Sequence, residues 1–156
     1  MILGFTGTGS SKEPGKGMTQ RQHATVRYLF LELQLHVLHH GDCIGSDAQA
    51  HRLARELHAR IVIHPPDNPK ARAFCLDADQ LLEPKPFLVR DREIVAAGID
   101  GLIATPKDFV KPASLRGQGT WTTIGYAQQA KRYIWYVWPD GTFKEETGVR
   151  IGQIAL

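Results

Sequence analysis

Cysteine is scarce: Cys43 and Cys75 are the two cysteines in 156 residues. Neither stands in a CxxC pair or at zinc-ligand spacing, which excludes a disulfide scaffold and a zinc-ribbon site and leaves two free thiols suited to a reducing compartment. Long apolar runs are missing as well. No segment approaches the roughly 20 apolar residues of a membrane span, and the apolar part of MILGFTGTGSS is too short for a secretory signal, so the expected location is the cytoplasm, away from membranes. Excess charge is modest, at +3 with a pI near 9.0. The basic residues are scattered, which suits a phosphorylated ligand without demanding a long nucleic-acid groove. Repeats, low-complexity tracts and linkers are absent too. An apolar content of 42% with 22% charged residues excludes a disordered or fibrous chain. Residues 1–156 therefore read as one domain, long enough to bury a core without cross-links or a structural metal.

What is present is glycine in telling places. From Arg116 to Pro139 the chain reads RGQGTWTTIGYAQQAKRYIWYVWP: a glycine-rich turn, an amphipathic helix and a short apolar strand. A turn of this kind at a helix start aims several main-chain N–H groups at one point, where the helix dipole also favours negative charge. Gly117, Gly119 and the Thr120 hydroxyl are the expected phosphate contacts, with positive φ open to both glycines. A second turn, Gly7-Thr8-Gly9-Ser10-Ser11, follows the first strand. The competing reading of each is an ordinary strand-to-helix turn.

Strands are expected at Ile2 to Thr6, His36 to His40, Ile61 to Ile63, Asp100 to Thr105 and Tyr133 to Trp138. Helices are expected from about Gln20 to Leu35, from Ser46 to near His58, from Phe87 to Ala97 and from Thr120 to Lys131. Thr19 with Gln22, and Ser46 with Gln49, have the spacing of capping boxes. Ala24, Tyr28, Leu31 and Leu35 are read as the inward face of the first helix. Pro65-Pro66 stops the third strand, a loop and a short helix fill Asp67 to Leu82, and Ser11 to Gly17 is the stretch expected to be mobile. After the turn Pro139-Asp140-Gly141, the tail Thr142 to Leu156 either adds a small antiparallel strand or packs across an edge. Strands alternating with helices imply parallel pairing with right-handed crossovers, hence an α/β three-layer sandwich with a mostly parallel sheet of about five strands.

Asp42, Asp47 and His51 form the most enzyme-like cluster, since Asp47 and His51 lie four apart on one helix face. Ribose recognition or acid/base work is one reading. An Asp capping its own turn and a His donating to a main-chain carbonyl is the other. Arg90 and Arg92 offer guanidinium forks for phosphate, but two residues apart they cannot share a helical face, so one reaches a ligand while the other pairs with an acid such as Asp91 or Glu93. Trp121 is read equally as a base-stacking platform and as core or an oligomer contact. No metal site is expected: His39, His40 and His64 lie on or beside strands, whose alternation sends neighbours to opposite faces. No cofactor is expected either.

Taken in order, GFTGT, HHGDCIGSDAQAHRLA, FLVRDREIV, DGLIAT and RGQGTWTTIGYAQQAKRYIWYVWPDG resemble the motifs of the Smf/DprA and LOG superfamily of Rossmann-like proteins. GDCIGSDAQAH looks like that family's Gly-rich turn followed by Asp and a helical Ala-His; RDREIV is similar to its Arg-Asn-Arg-Ile-Ile helix, and GQGTWTT to its Ser-Gly-Ser or Gly-Gly-x-Gly-Thr turn. The resemblance covers most of the chain. It implies a nucleotide or nucleic-acid phosphate site above the carboxyl ends of the strands, involving Gly41 and its turn as well as the two glycine turns already named. Two departures stand out. LOG-type phosphoribohydrolases carry an acidic residue shortly after the Gly-Thr pair, where this chain has Trp121, Thr122 and Thr123. Smf/DprA proteins commonly have an Arg after the first turn, where this chain has Gly9.

The expected function is nucleotide binding, with a nucleotide or ADP-ribose-like ligand held by its phosphates on the two glycine turns. One alternative is a nucleoside-monophosphate phosphoribohydrolase in which Asp42 or Asp47 replaces the absent carboxylate. The other is single-stranded DNA binding of the DprA type. A homodimer is the expected assembly.

Overall fold

The computed structural model describes residues 1–9 and 17–148. Ser10, and of the segment expected to be mobile all but Gly17, lie outside the described residues, as does the chain beyond Gly148. Seven strands form one sheet: β1 (Ile2–Gly7), β2 (Val37–His40), β3 (Arg60–Ile63), β4 (Gln80–Leu81), β5 (Gly101–Thr105), β6 (Tyr133–Val137) and β7 (Phe143–Glu146). Their order is β4-β3-β2-β1-β5-β6-β7. All neighbouring pairs are parallel except β6 with β7. Helices α1 (Gln20–Glu32), α2 (Ser46–Glu56), α3 (Phe87–Ala96) and α4 (Gly119–Gln129) cover the two faces. This is a Rossmann-like three-layer α/β fold, as expected, with two strands more than expected. Both additions are edges. β4 occupies two residues of the stretch read as loop and short helix, where only the 3₁₀ turn Pro69–Ala71 is helical, and β7 is the antiparallel option for the tail.

Alternation along the strands splits the core in two. Leu3, Phe5, Leu38, Ile61, Ile63, Ile103, Trp135 and Val137 point toward α1 and α2, with Val26, Leu29, Phe30, Ala50 and Leu53. Leu102, Ala104, Ile134 and Tyr136 point the other way, onto Val95, Ile99, Ile124 and Ala127. Period-2 side-chain alternation in strands buried on both faces requires this division. Gly4 takes no side chain on the second face because a Cβ there would lie 2.9 Å from Ile99 Cδ1.

Two local expectations are corrected. The inward face of α1 is Gln22, Val26, Leu29 and Phe30, while Tyr28 and Leu31 are 52% and 50% exposed. The cap sets the rotation. Thr19 and Gln22 form the expected capping box, and the Gln22 amide then donates inward to the carbonyls of Pro106 (2.9 Å) and Val137 (3.0 Å). Ser46, read as an N-cap, is instead the first residue of α2, after an N-cap Gly45 at φ 107°. Its hydroxyl donates to the Thr8 carbonyl at 2.6 Å, which ties α2 to the turn after β1.

Candidate functional site

The strand order reverses beside β1: the chain runs outward through β2, β3 and β4, then returns to place β5 on β1's other side. Connections leaving β1 and β5 therefore diverge to opposite faces, and a crevice opens at their carboxyl ends. A cavity of about 860 Å³ lies there. Gly7, Thr8 and Gly9 line it from the β1 turn, Gly41, Cys43, Ile44 and Asp47 from the β2–α2 connection, and Arg116 to Thr122 from the start of α4. The two glycine turns thus face one space, since Gly7 and Thr105 are partners in the ladder.

They do not offer the same groups. Thr8 gives both its main-chain N–H and its hydroxyl to the Thr105 carbonyl, each at 3.2 Å, and Gly9 is bridged to Gly45. The Thr8 donors are therefore spent. At α4 no side chain caps the first turn, and the N–H groups of Gly119, Thr120 and Trp121 have no partner among the described residues. Gly117 uses the positive φ open to it, at 70°, and Gly119 does not. A Cβ at Gly119 would meet nothing within 4 Å. Glycine there keeps the mouth of the helix open; packing does not demand it.

Beneath the cavity lies a buried charge cluster. The Arg90 guanidinium donates to Asp91 Oδ1 at 2.8 Å, to the Gly41 carbonyl, to the His64 carbonyl at 3.4 Å and to Cys43 Sγ at 3.6 Å. Gly41 is glycine because a Cβ would sit 2.2 Å from Arg90 Nη1. Asp47 accepts the Cys43 N–H at 3.0 Å. Burial pushes its carboxyl up to about 6 against the pull of Arg90. Burial likewise raises Asp91, and raises the Cys43 thiol to about 12, so that sulfur is no nucleophile. Lys107 and Arg116 are exposed at the cavity, and Phe87, Leu88, Leu115, Trp121 and Tyr126 give it apolar walls.

Three of the residues singled out from the sequence lie elsewhere. Asp42 is fully buried, and its oxygens accept Arg72 Nε at 2.8 Å and the Cys75 N–H at 2.9 Å. It ties down the 72–75 loop and does not line the cavity. Arg92 stacks on Tyr126, 4.9 Å from the ring centroid, outside the cavity. His51 follows the structural alternative: its Nε2–H goes to the Leu76 carbonyl at 2.6 Å, and its Nδ1 accepts from His40 Nε2 at 2.9 Å. His40 Nδ1 in turn accepts the Asp42 N–H at 3.0 Å. Among the described residues one group looks metal-like, with ligand atoms of His40, His51 and Cys75 within 4.8 Å of one another. The donor directions just given engage every lone pair on those two rings, so neither is available to an ion.

Sequence reasoning named Asp91 as an arginine's partner, as it is for Arg90, but missed its place on the cavity and those of Cys43 and Lys107. The signal for Asp91 was its place between two arginines; that for Lys107 was the long connection Pro106 to Gln118 at the switch point.

No family model matches the chain, and no curated protein matches it. Among solved structures, the chain is similar to the X-ray structure of TM1055, a Northeast Structural Genomics Consortium target, with a TM-score of 0.63 over 85% of this chain and 71% of that one. At 13% identity the likeness speaks for the fold alone. No helix among the described residues is long and apolar enough to cross a membrane.

Proposed function

We propose that this is a nucleotide-binding protein of the Smf/DprA and LOG type, acting in the cytoplasm, with its ligand in the switch-point cavity. The observation that carries the reading is the uncapped start of α4: three N–H groups with no partner among the described residues stand on a cavity that Thr120, Lys107 and Arg116 also line, and a helix start of that kind favours an anion. Across the cavity the Gly7–Gly9 turn adds the Gly9 N–H, which has no partner among the described residues, while Thr8 is held by Thr105. Trp121 and Tyr126 give a base its stacking surface, and Asp47 meets the sugar hydroxyls.

A second reading, hydrolysis of an N-glycosidic bond, is favoured by Asp47. It is the one expected acid that faces the cavity, and a carboxyl near 6 can exchange protons at neutral pH. Asp91, which also lines the cavity, is a second carboxyl there, where the family's acidic residue is absent.

The test is a thermal-shift series with AMP, ADP, ADP-ribose and a single-stranded oligonucleotide, with chromatography of the incubated nucleotides for released base. A mononucleotide or ADP-ribose that raises Tm with its concentration supports binding, because a ligand selective for the native state must do so. No shift with any nucleotide at millimolar concentration would sink the proposal. Sedimentation of the same samples reads the expected dimer.

A further inference from the structure

Two imidazole pairs flank β2, and they differ in what they do with a proton. On the α2 face, the Asp42 N–H obliges His40 Nδ1 to accept, and the Leu76 carbonyl obliges His51 Nε2 to donate. Both ends impose the same direction, so each ring carries one proton and all four ring nitrogens are engaged. A further proton has two places to go, His40 Nδ1 or His51 Nδ1. On His40 Nδ1 it faces the Asp42 N–H; on His51 Nδ1 it faces His40 Nε2–H, and His40 restores that bond only by moving its own proton to Nδ1, so both routes set a hydrogen against the Asp42 N–H. On the α3 face, His64 donates Nδ1–H to Glu93 Oε1 at 2.8 Å and accepts from His39 Nδ1 at 2.8 Å. That arrangement leaves His39 Nε2 beside an open trough of about 570 Å³, where a proton breaks no bond.

We propose that the His40–His51 pair is a proton-operated latch on the cavity wall: a proton taken by the pair removes the Asp42 N–H bond and frees the connection that carries Gly41, Cys43 and Asp47 into the cavity. The backbone there is already held in an unusual state, with Asp42 at φ 56° and Gly45 at φ 107°. Relaxation on release is therefore favoured.

The charged surroundings of the pair are mixed. Arg90 from α3 and Arg55 from α2 oppose protonation, whereas Asp42 and Asp77 favour it; His39 and His64 also oppose it from the far side of β2. Asp42 is the nearest of the acids, but its charge is shared with Arg72. Cys75, the remaining titratable neighbour, stays a thiol because burial and Asp42 raise it. Burial holds both rings below the ordinary imidazole range, so the latch is closed at neutral pH and opens on acidification.

The full-length protein is titrated from pH 7.5 to 4.5, with ring nitrogens followed by long-range ¹⁵N NMR and main-chain amides by hydrogen exchange. At neutral pH both rings are expected as neutral Nε2–H tautomers. As they gain a proton, protection of the Asp42 amide, corrected for the intrinsic rate, is expected to fall at least tenfold in the same step. His39 titrates with no loss at Asp42. In His40→Asn the side-chain oxygen keeps accepting the Asp42 N–H but cannot be protonated, so protection is expected to persist to pH 4.5. If that variant does not fold, the wild-type titration decides alone. The opposite tautomers, a charged ring at pH 7, or an Asp42 amide that stays protected while both rings titrate would overturn the latch. Because the readout is a main-chain amide, the result is independent of what the cavity binds.

Discussion

The cavity's two main walls are both strand-to-helix connections, yet they treat their polar groups differently. In the β2–α2 wall, Asp42 gives its carboxylate to Arg72 and Cys75, His40 and His51 bond each other and the chain on either side, and Asp47 accepts the Cys43 N–H. In the β5–α4 wall, the first-turn N–H groups of α4 and the Thr120 hydroxyl have no partner among the described residues. One wall is a locked network with a single carboxyl facing inward; the other is open. Chemically rich residues that the fold has already engaged build the site's shape, and unengaged main-chain groups are what remain to bind.

The largest effect expected from this contrast is on stability at the locked wall. Asp42→Ala removes a fully buried carboxylate and leaves the partly buried Arg72 and the Cys75 N–H without their partner, a loss of charge-assisted hydrogen bonds that should cost about 3 kcal/mol. Urea unfolding measures it. A loss below about 1 kcal/mol would mean that the network is not what holds the wall.

Gly119→Val is the matching change at the open wall. With nothing within 4 Å of its Cβ, the fold is expected to keep its Tm within a few degrees. AMP affinity is expected to drop at least ~100-fold, about 2.7 kcal/mol, as the side chain fills the phosphate seat. Gly7→Ala is the control, because its Cβ would lie 2.1 Å from Thr105 Oγ1 and 2.6 Å from Ser46 Cβ. It should destabilise by roughly 1–3 kcal/mol through overpacking. If Gly119→Val binds AMP like wild type, the seat is elsewhere.

Sequence periodicity carried most of the fold. Strands β1, β2, β3, β5 and β6 and all four helices were legible, because their apolar residues recur at strand or helix spacing between glycine and proline stops. β4 was not, since two residues show no period. The rotation of α1 was misread because two apolar stripes compete there, and the choice falls to Gln22, whose partners Pro106 and Val137 are remote in sequence. The site was legible in outline, as both glycine turns line one cavity. Which donors stay free was not, because Thr8 is engaged by Thr105, a residue brought alongside only by the β1–β5 pairing.

Acid should weaken both imidazole pairs that flank β2. His39, held near 4, and His40, His51 and His64, all held low by burial, bind protons less readily folded than unfolded. Their stabilising contribution is therefore complete above about pH 6.5 and lost as pH falls. Each ring that stays neutral costs about 2 kcal/mol at pH 5. Asp47, raised to about 6, works in the opposite sense, since its buried carboxyl is easier to keep when protonated. With four rings held low against the raised carboxyls of Asp47 and Asp91, a net loss of at least about 2 kcal/mol between pH 7 and pH 5 is expected in urea titrations, and unchanged stability would contradict the neutral pairs.

Asp47→Asn separates the two functional readings at smaller cost. Removing a buried charge should leave stability at pH 7.5 unchanged or improve it by about 1 kcal/mol, as the amide oxygen can still accept the Cys43 N–H. If the protein hydrolyses a nucleotide, base release should fall by at least ~100-fold while AMP still binds. Turnover at the wild-type rate would remove Asp47 as the acid and leave binding as the reading.

The smallest expected effect lies at the exposed rim of the open wall. Arg116 is solvent-exposed, so its attraction for a phosphate is screened, and Arg116→Ala should weaken AMP only about three- to tenfold at low salt. That difference should shrink toward nothing near 0.5 M salt, where the screening length falls to a few ångströms, whereas the Gly119→Val defect should not change, because a blocked seat is a matter of shape. A polynucleotide would behave otherwise. Its affinity should fall steeply with salt for the wild type, by a slope of about 0.7 per phosphate contacted on a single strand, and Arg116→Ala should lower that slope. Shallow salt dependence with AMP and none of this steepness with the oligonucleotide would assign the open wall to a single bound phosphate; the reverse would make the cavity one station along a strand.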